Sequence, residues 1–343
     1  MLLNALWIVV GVVLVLWGAD RLTEGAVNVA ERLRVPQIVI GLTIVALGTS
    51  MPELCVSVVS ALKGTPDLAV GNVVGSNVFN ALLIVGVAAL VAPMTILRST
   101  VFKDVPCALV ASVVLLMMCQ NDWVITRLDG AILFVFFLVF MRLTIKGATS
   151  AQPAPQAVQA QAAEKAQVAG KAQTQAAEKN QTQGAEEKEA SAGKQPMKGW
   201  LAGLWMVVGL AALIGGSNLF VGGATEVARA LNVSDAVIGL TIVAGGTSLP
   251  ELATSVVAAK KGNSGIAIGN VLGSNVLNIL FILGLTGMIS PMHIEGITNV
   301  DLYMMLVSTI MIWFFSFTKY TIERWEGAVL VLTFGGYMWY LLA

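Results

Sequence analysis

Residues 41–64 read GLTIVALGTSMPELCVSVVSALKG, and residues 239–262 read GLTIVAGGTSLPELATSVVAAKKG. The two stretches match without a gap at a constant offset of 198 residues. The match continues from GNVVGSNVFN (71–80) to GNVLGSNVLN (269–278) and on to Pro93 and Pro291. A correspondence of about fifty residues marks an internal repeat, so the chain consists of two halves built alike.

The composition places the chain in a membrane. Hydrophobic residues make up 57% of its 343 residues and charged residues only 12%, a balance typical of proteins whose solvent is lipid. Lysine plus arginine equals aspartate plus glutamate at 20 each, which excludes the basic excess that nucleic-acid binding requires. The three cysteines lack the paired spacing of a disulfide framework or a zinc site. We therefore expect an all-α membrane protein.

Ten apolar stretches are long enough to cross a bilayer, which takes about 20 residues of helix. Five precede residue 148 and five follow residue 198, which predicts a first five-helix repeat at 1–147 and a second at 199–343. The segment 148–198 is mostly Ala, Gln, Glu, Lys, Gly and Ser, a composition that predicts a solvated loop and no folded domain. The ten predicted spans are 2–22, 37–62, 68–91, 101–120, 128–146, 200–222, 236–259, 266–289, 300–318 and 326–343.

The odd number of spans in each half predicts the topology. The second half must enter the membrane from the side opposite to the first, so the repeats are expected to be inverted, an arrangement found in many secondary transporters. Short loops on the side of the N-terminus hold three lysines and arginines, and those on the other side hold twelve. Because such residues mark the cytoplasmic side, we expect a multi-pass protein of the cell (inner) membrane. Both termini should lie outside and 148–198 in the cytoplasm.

The repeated stretch carries a carboxylate inside each of two apolar spans. Glu53 and Glu251 are costly in lipid, and an intramembrane acid is by default a functional residue. On an α-helix, small or polar positions share the face of each glutamate: Ala46, Thr49, Ser50 and Ser57 in the first half, and Ala244, Thr247, Ser248 and Ser255 in the second. A second polar stripe, with a residue every four positions on spans three and eight, contains Asn72, Ser76, Asn80, Asn270, Ser274 and Asn278.

Two prolines are expected to open the helices next to the glutamates. Pro52 and Pro250 lack an amide proton, so the carbonyls of Gly48 and Gly246 lose their helical partners. Carboxylate, hydroxyl, amide and carbonyl oxygens are ligands for Ca²⁺, Na⁺ or similar hard cations, whereas zinc and copper prefer other donors. The two glutamates together balance one Ca²⁺ or two Na⁺, which favours exchange of a divalent for a monovalent ion at one shared site.

The motifs GTSMPE and GTSLPE, each followed by GNxxGSNxxN, resemble the repeats of the calcium/cation antiporter superfamily, specifically its prokaryotic sodium/calcium exchangers. The resemblance covers nearly the whole chain apart from 148–198. It implies that Glu53 and Glu251 bind both Ca²⁺ and Na⁺, with further oxygens from Thr49, Ser50, Thr247, Ser248, Ser76 and Ser274 and from the carbonyls of Ala46 and Ala244. Asn80 and Asn278 take a further site position.

The resemblance also implies a mechanism. Asn80 and Asn278 are amides where potassium-dependent relatives have an additional carboxylate, so potassium independence is expected. About three Na⁺ would exchange for one Ca²⁺, which makes the cycle electrogenic, and spans one and six would slide past a fixed core of spans two, three, seven and eight. The resemblance implies no cofactor, and Ca²⁺ and Na⁺ are the expected transported ions. The expected environment is the lipid bilayer. The sequence does not indicate the oligomeric state.

Other interpretations remain open at this stage. Proton/calcium exchange and a passive channel would use the same polar spans. An intramembrane serine protease built on Ser50 or Ser76 would need a general base, and the one histidine, His293, follows the break at Pro291 and is expected at the surface. A packing role is as compatible as a functional one with the other polar positions, Ser57, Ser255, Asn72, Asn77, Asn270 and Asn275.

Overall fold

The computed structural model describes residues 2–150, 198–231 and 244–342, and within them the chain is helical. The helices are α1 (Leu2–Leu33), α2 (Gln37–Thr49), α3 (Met51–Leu62), α4 (Pro66–Val91), α5 (Val105–Asp122), α6 (Arg127–Ser150), α7 (Gly199–Ala230), α8 (Ala244–Thr247), α9 (Leu249–Lys260), α10 (Ser264–Ile289), α11 (Asn299–Ser316) and α12 (Arg324–Leu342). Almost all of the predicted loop 148–198 lies outside the described residues.

Seven of these helices are long and apolar enough to cross a membrane: α1, α4, α5, α6, α7, α10 and α11. The pair α2 and α3, bent by 47° at Ser50, is apolar enough to count as an eighth crossing if the two helices form one broken span. The protein is therefore a multi-pass helical membrane protein. Of the other two predicted spans, 236–259 begins outside the described residues and 326–343 corresponds to α12.

Two helices, α1 and α7, extend beyond the spans that the sequence predicts for them. The apolar runs 2–22 and 200–222 were expected to stop where polar residues begin, but α1 continues to Leu33 and α7 to Ala230. In α1 the extension is possible because its charges are paired: Arg21 lies 3.0 Å from Asp20 and 2.8 Å from Glu24. Paired charges at the end of an apolar run let a helix continue beyond it.

Glycines at equivalent positions end the broken helices of both halves. Gly64 has φ +75° and Gly262 has φ +76°, in the left-handed region that favours glycine. Each glycine closes the short turn between α3 and α4 or between α9 and α10. The residues that follow, Pro66–Val91 and Ser264–Ile289, are the most deeply buried of the membrane-crossing helices. These turns set each GNxxGSNxxN motif against the broken helix before it.

A seam of glycines joins α1 to α7. A Cβ at Gly18 would lie 2.6 Å from the carbonyl oxygen of Gly209, and one at Gly209 would lie 2.7 Å from that of Gly18. Only glycine permits so close an approach of two helix backbones. Trp17 and Trp205 meet edge to face beside this seam, with ring centroids 6.2 Å apart. The two helices therefore form one tightly packed pair.

Four strands of two residues each connect the halves. β1 (Met94–Thr95) pairs antiparallel with β4 (Thr321–Ile322), and β2 (Val124–Ile125) pairs antiparallel with β3 (Met292–His293). In both pairs a strand of the first half meets one of the second half. His293 is exposed, as its position after Pro291 predicts.

Candidate cation site

Both GTSxPE motifs break their helix at the serine. Ser50 has φ −85° and ψ 9°, and Ser248 has φ −89° and ψ 7°, so neither continues the α-helical conformation. Pro52 and Pro250 follow in the first turn of α3 and α9, where the missing amide proton costs no helical bond. Each glutamate consequently lies in the first turn of a helix, at its positive end, which stabilises a carboxylate.

The two glutamates are held by hydroxyl groups of the opposite half. Ser50 Oγ donates to Glu251 Oε1 at 3.0 Å, and Ser248 Oγ donates to Glu53 Oε1 at 3.1 Å. All four side chains are at most 2% exposed. Thr247 is also within hydrogen-bonding reach of Glu53, as is Thr49 of Glu251. The crossed pairing joins the two motifs into one site.

The helices α4 and α10 close this site from the side. Ser274 Oγ lies 3.0 Å from Ser50 Oγ, and Ser76 Oγ lies 3.4 Å from Ser248 Oγ. Thr49 Oγ1 donates across the halves to Asn270 Oδ1 at 3.1 Å. The predicted hydroxyl ligands of both halves are thus gathered around the two carboxylates.

Four buried side-chain oxygens in this region have no hydrogen-bond partner among the residues that the structure describes. They are Glu53 Oε2, Glu251 Oε2, Asn80 Oδ1 and Asn278 Oδ1, two pairs of equivalent atoms from the two halves. Each of these residues is 1% exposed. A buried acceptor without a partner is costly, and a hard cation is the ligand that four such oxygens would satisfy.

The backbone carbonyls differ from the sequence prediction. The carbonyl of Gly246 is not free, because it accepts the Ser217 hydroxyl of α7 at 2.5 Å. The sequence could not indicate this contact, since Ser217 lies 29 positions away and its counterpart, Ala19, has no hydroxyl. The carbonyl of Ala46 accepts the Ser50 amide at 3.0 Å and also lies 3.4 Å from Thr49 Oγ1, so it is not free either. Ala244 is the first residue of α8, directly after residues that are not described.

The stripe on α4 and α10 is less regular than predicted. A wider π turn occupies Phe79–Ile84 in α4 and Leu277–Leu283 in α10, so Asn80 and Asn278 leave the α-helical period of the residues before them. Such turns recur at functional sites. Regular four-residue spacing, the sequence-based expectation, misses this shift.

Some of the polar positions with an open role hold the helices together. Asn72 Nδ2 donates to the Glu53 carbonyl at 3.2 Å and to Ser57 Oγ at 3.0 Å. Asn270 makes the equivalent bonds to the Glu251 carbonyl at 3.3 Å and to Ser255 at 3.0 Å. These contacts fix each glutamate's backbone to the neighbouring helix, which is a structural role.

Known proteins share both this sequence and this fold. The sequence pattern of the sodium/calcium exchanger protein family matches residues 3–146 and 201–343. The chain belongs to the sodium/calcium exchanger family. The chain is 35% identical to "Putative antiporter CaxA" of Alkalimonas amylolytica over the full length of both chains. It is 34% identical to "Sodium/calcium exchanger MaX1" of Methanosarcina acetivorans, over 98% of this chain and 97% of the relative.

A solved structure of the sodium-calcium exchanger NCX_Mj, soaked with Na⁺ and Sr²⁺, superimposes on this exchanger-family chain with a TM-score of 0.78 and 27% identity. The match covers 100% of this chain and 99% of that one. The resemblance carried by the GTSMPE and GTSLPE motifs is thereby confirmed, and the chain is a cation/calcium antiporter. The carboxylate partners of Ser50 and Ser248 are in keeping with this family of exchangers.

Proposed function

We propose that this antiporter exchanges Na⁺ for Ca²⁺ by alternating access at a single site shared by its two halves. The observation that carries the proposal is the crossed pairing of Ser50 with Glu251 and of Ser248 with Glu53, with one oxygen of each glutamate unpartnered within the described part of the chain. Carboxylate and hydroxyl oxygens such as these are the kind of ligand that Ca²⁺ and Na⁺ prefer. The names of the relatives MaX1 and NCX_Mj support sodium as the counter-ion.

The proposed ratio of about three Na⁺ to one Ca²⁺ comes from the resemblance to the prokaryotic sodium/calcium exchangers and not from the charge of the site. Glu53 and Glu251 are the carboxylates of the site, and Asn80 and Asn278 add neutral oxygens. One Ca²⁺ balances both carboxylates, whereas three Na⁺ exceed them by one charge. Exchange of about three Na⁺ for one Ca²⁺ then moves net charge across the membrane in each cycle. The amides at 80 and 278 provide no third carboxylate, which supports transport without K⁺.

The proposed topology has ten spans in two inverted repeats, with both termini outside and residues 148–198 in the cytoplasm. Three contacts support it, because each joins segments that this topology puts on one side. Asp20 pairs with Lys261 on the cytoplasmic side, β1 pairs with β4 on that side, and β2 pairs with β3 on the outer side. The match to NCX_Mj over nearly the full length of both chains is in keeping with it.

The proposed moving part is the pair α1 and α7. Their glycine seam and the Trp17–Trp205 contact tie these two helices together. Between them and the core lies an apolar cavity of about 270 Å³, lined among others by Val15, Phe220 and Leu252. The apolar lining of this cavity lets the pair slide past α4 and α9 there, while the Asp20–Lys261 ion pair and the Ser217–Gly246 hydrogen bond would open during the movement.

Flux measurements on the purified protein in liposomes test the proposal. We expect ⁴⁵Ca²⁺ uptake to follow an imposed Na⁺ gradient, to persist without K⁺ or a proton gradient, and to respond to a clamped membrane potential. Glu53→Gln and Glu251→Gln should each reduce uptake by at least about 100-fold, because each substitution removes half of the charge that balances Ca²⁺.

Glu323→Gln is the matched control, since Glu323 lies at the start of α12, outside the site, and pairs only with the exposed Lys319 among the described residues. It should transport like the unsubstituted protein. Uptake driven by protons without Na⁺ would establish proton/calcium exchange instead, and uptake without any counter-ion would establish a channel. Normal uptake by Glu53→Gln would remove Glu53 from the site.

A further inference from the structure

Two asparagines that contact neither glutamate form the centre of a second crossed network. Asn77 Nδ2 donates to the backbone carbonyl of Asn275 at 3.2 Å, and Asn275 Nδ2 donates to the backbone carbonyl of Asn77 at 3.3 Å. Both side chains are buried, at 1% and 4% exposure. This reciprocal pair lies where α4 and α10 cross.

The backbone carbonyls fix which end of each amide is nitrogen. The oxygen and nitrogen of an amide side chain are told apart by their partners. A carbonyl oxygen only accepts, so the end of Asn77 that faces the Asn275 carbonyl must be its NH₂ group, and Oδ1 must point the other way. The same reasoning fixes the Asn275 amide.

The orientation of the Asn77 and Asn275 amides fixes the orientation of the two predicted amide ligands, Asn278 and Asn80. Asn77 Oδ1 accepts from Asn278 Nδ2 at 3.1 Å, and Asn275 Oδ1 accepts from Asn80 Nδ2 at 3.1 Å. An oxygen can receive only a donor, so the near end of Asn278 and of Asn80 must be nitrogen. The other ends are the two buried Oδ1 atoms that have no partner.

We propose that Asn77 and Asn275 are positioning residues that force Asn278 and Asn80, respectively, to present oxygen to the transported cation. Without Asn77, the Asn278 amide can turn by half a rotation and present its NH₂ group, whose partial positive charge repels a cation. The inference rests on the proposed cation site. It adds the residues that decide whether two of its ligands are acceptors or donors.

A double-substitution cycle tests the inference, with Ca²⁺ binding to the purified protein measured by titration calorimetry and ⁴⁵Ca²⁺ flux measured in parallel. Asn77→Leu keeps the branched shape of the side chain but removes its donor and its acceptor, and it should weaken Ca²⁺ binding by about tenfold. In an Asn278→Ala background, Asn77→Leu should cause no further loss, because the ligand through which it acts is gone.

The pseudo-symmetry of the site supplies the control. Asn77 acts through Asn278 and not through Asn80, so Asn77→Leu should still weaken binding about tenfold in an Asn80→Ala background. The mirror cycle, Asn275→Leu with Asn80→Ala and with Asn278→Ala, should show the reverse pattern. It gives the same test on the other half if the Asn77 variants do not fold.

The possible failures are distinguishable. Equal losses from Asn77→Leu in both backgrounds would mean that Asn77 is merely structural and would overturn the inference while leaving the site intact. Unchanged Ca²⁺ binding by both Asn80→Ala and Asn278→Ala would mean that neither amide is a ligand, and this would also overturn the inference. Absence of Ca²⁺ binding to the unsubstituted protein would overturn the proposed function itself.

Discussion

At the scale of single residues, the site depends on hydrogen bonds that cross between the halves. Ser50 serves Glu251, and Ser248 serves Glu53, so no motif is complete by itself. A hydroxyl that donates to one carboxylate oxygen leaves the other oxygen free and holds it in place. Each serine also offers lone pairs of its own to a cation. In the proposed site, serine at these two positions would therefore act twice, as hydrogen-bond donor to a glutamate and as ligand of the cation.

Removal of either serine hydroxyl should weaken ion binding. A hydrogen bond to a charged group is worth about 1.5–3 kcal/mol, so Ser50→Ala and Ser248→Ala should each weaken Ca²⁺ binding, measured by titration calorimetry, by roughly tenfold to hundredfold. Ser112→Ala is the control, because among the described residues the buried Ser112 bonds only to the Ala108 carbonyl of its own helix. Equal binding by Ser50→Ala and Ser112→Ala would contradict the role of the crossed bonds.

Sequence reasoning predicted which residues lie together around the two glutamates, but not how they pair. The doubled motif predicted Glu53, Glu251 and the neighbouring serines, because a carboxylate in lipid requires a reason. It did not predict that each serine serves the opposite half, since that depends on how α2 and α10 cross. The sequence did not decide whether Asn77 and Asn275 serve packing or function, although their GSN triplet recurs in both halves. Only their contacts with backbone carbonyls reveal the orientation they impose.

At the scale of helices, the packing of α1 on α7 depends on the absence of side chains. Gly18 and Gly209 meet with almost no space between the two helix backbones. Lipid tails are as apolar as the helices, so such close packing, and not the hydrophobic effect, holds membrane helices together. The seam keeps two long, largely lipid-facing helices as one body.

A bulky residue in this seam should separate the helices. Gly209→Leu should destabilise the protein by about 1–3 kcal/mol or more, lower its thermal unfolding midpoint in detergent and reduce ⁴⁵Ca²⁺ flux. Gly203→Leu, on the same helix, is the control, because a Cβ at Gly203 has no described atom within 4 Å. If both variants unfolded at the same temperature, the seam would have no special role in stability.

At the scale of the whole molecule, the small strand pairs tie the two halves together. β1 meets β4 and β2 meets β3, so each pair contains one strand of each half. The composition predicted a helical membrane protein, and the structure confirms this class. The strands escaped prediction because two residues are too few for any alternating pattern. The full lengths of α1 and α7 also escaped it, since paired charges extend α1 beyond its apolar run.

The proposed topology puts the two strand pairs on opposite sides of the membrane. In a background with Cys55→Ala, Cys107→Ala and Cys119→Ala, His293→Cys should react with a membrane-impermeant thiol reagent added to intact cells, because His293 is exposed on the outer pair. Thr95→Cys, exposed on the other pair, should react only after the membrane is permeabilised. Labelling of both cysteines from the same side would contradict the inverted arrangement.

The crossed serine–glutamate bonds also constrain how such a protein can arise and diverge. A single ancestral half would hold a carboxylate without its hydroxyl donor, so it could form this site only as a dimer of two copies inserted in opposite orientations. After gene duplication and fusion, a change in one copy's serine is felt by the other copy's glutamate. The two copies must then evolve as partners, which keeps their motifs alike long after the surrounding helices have drifted apart.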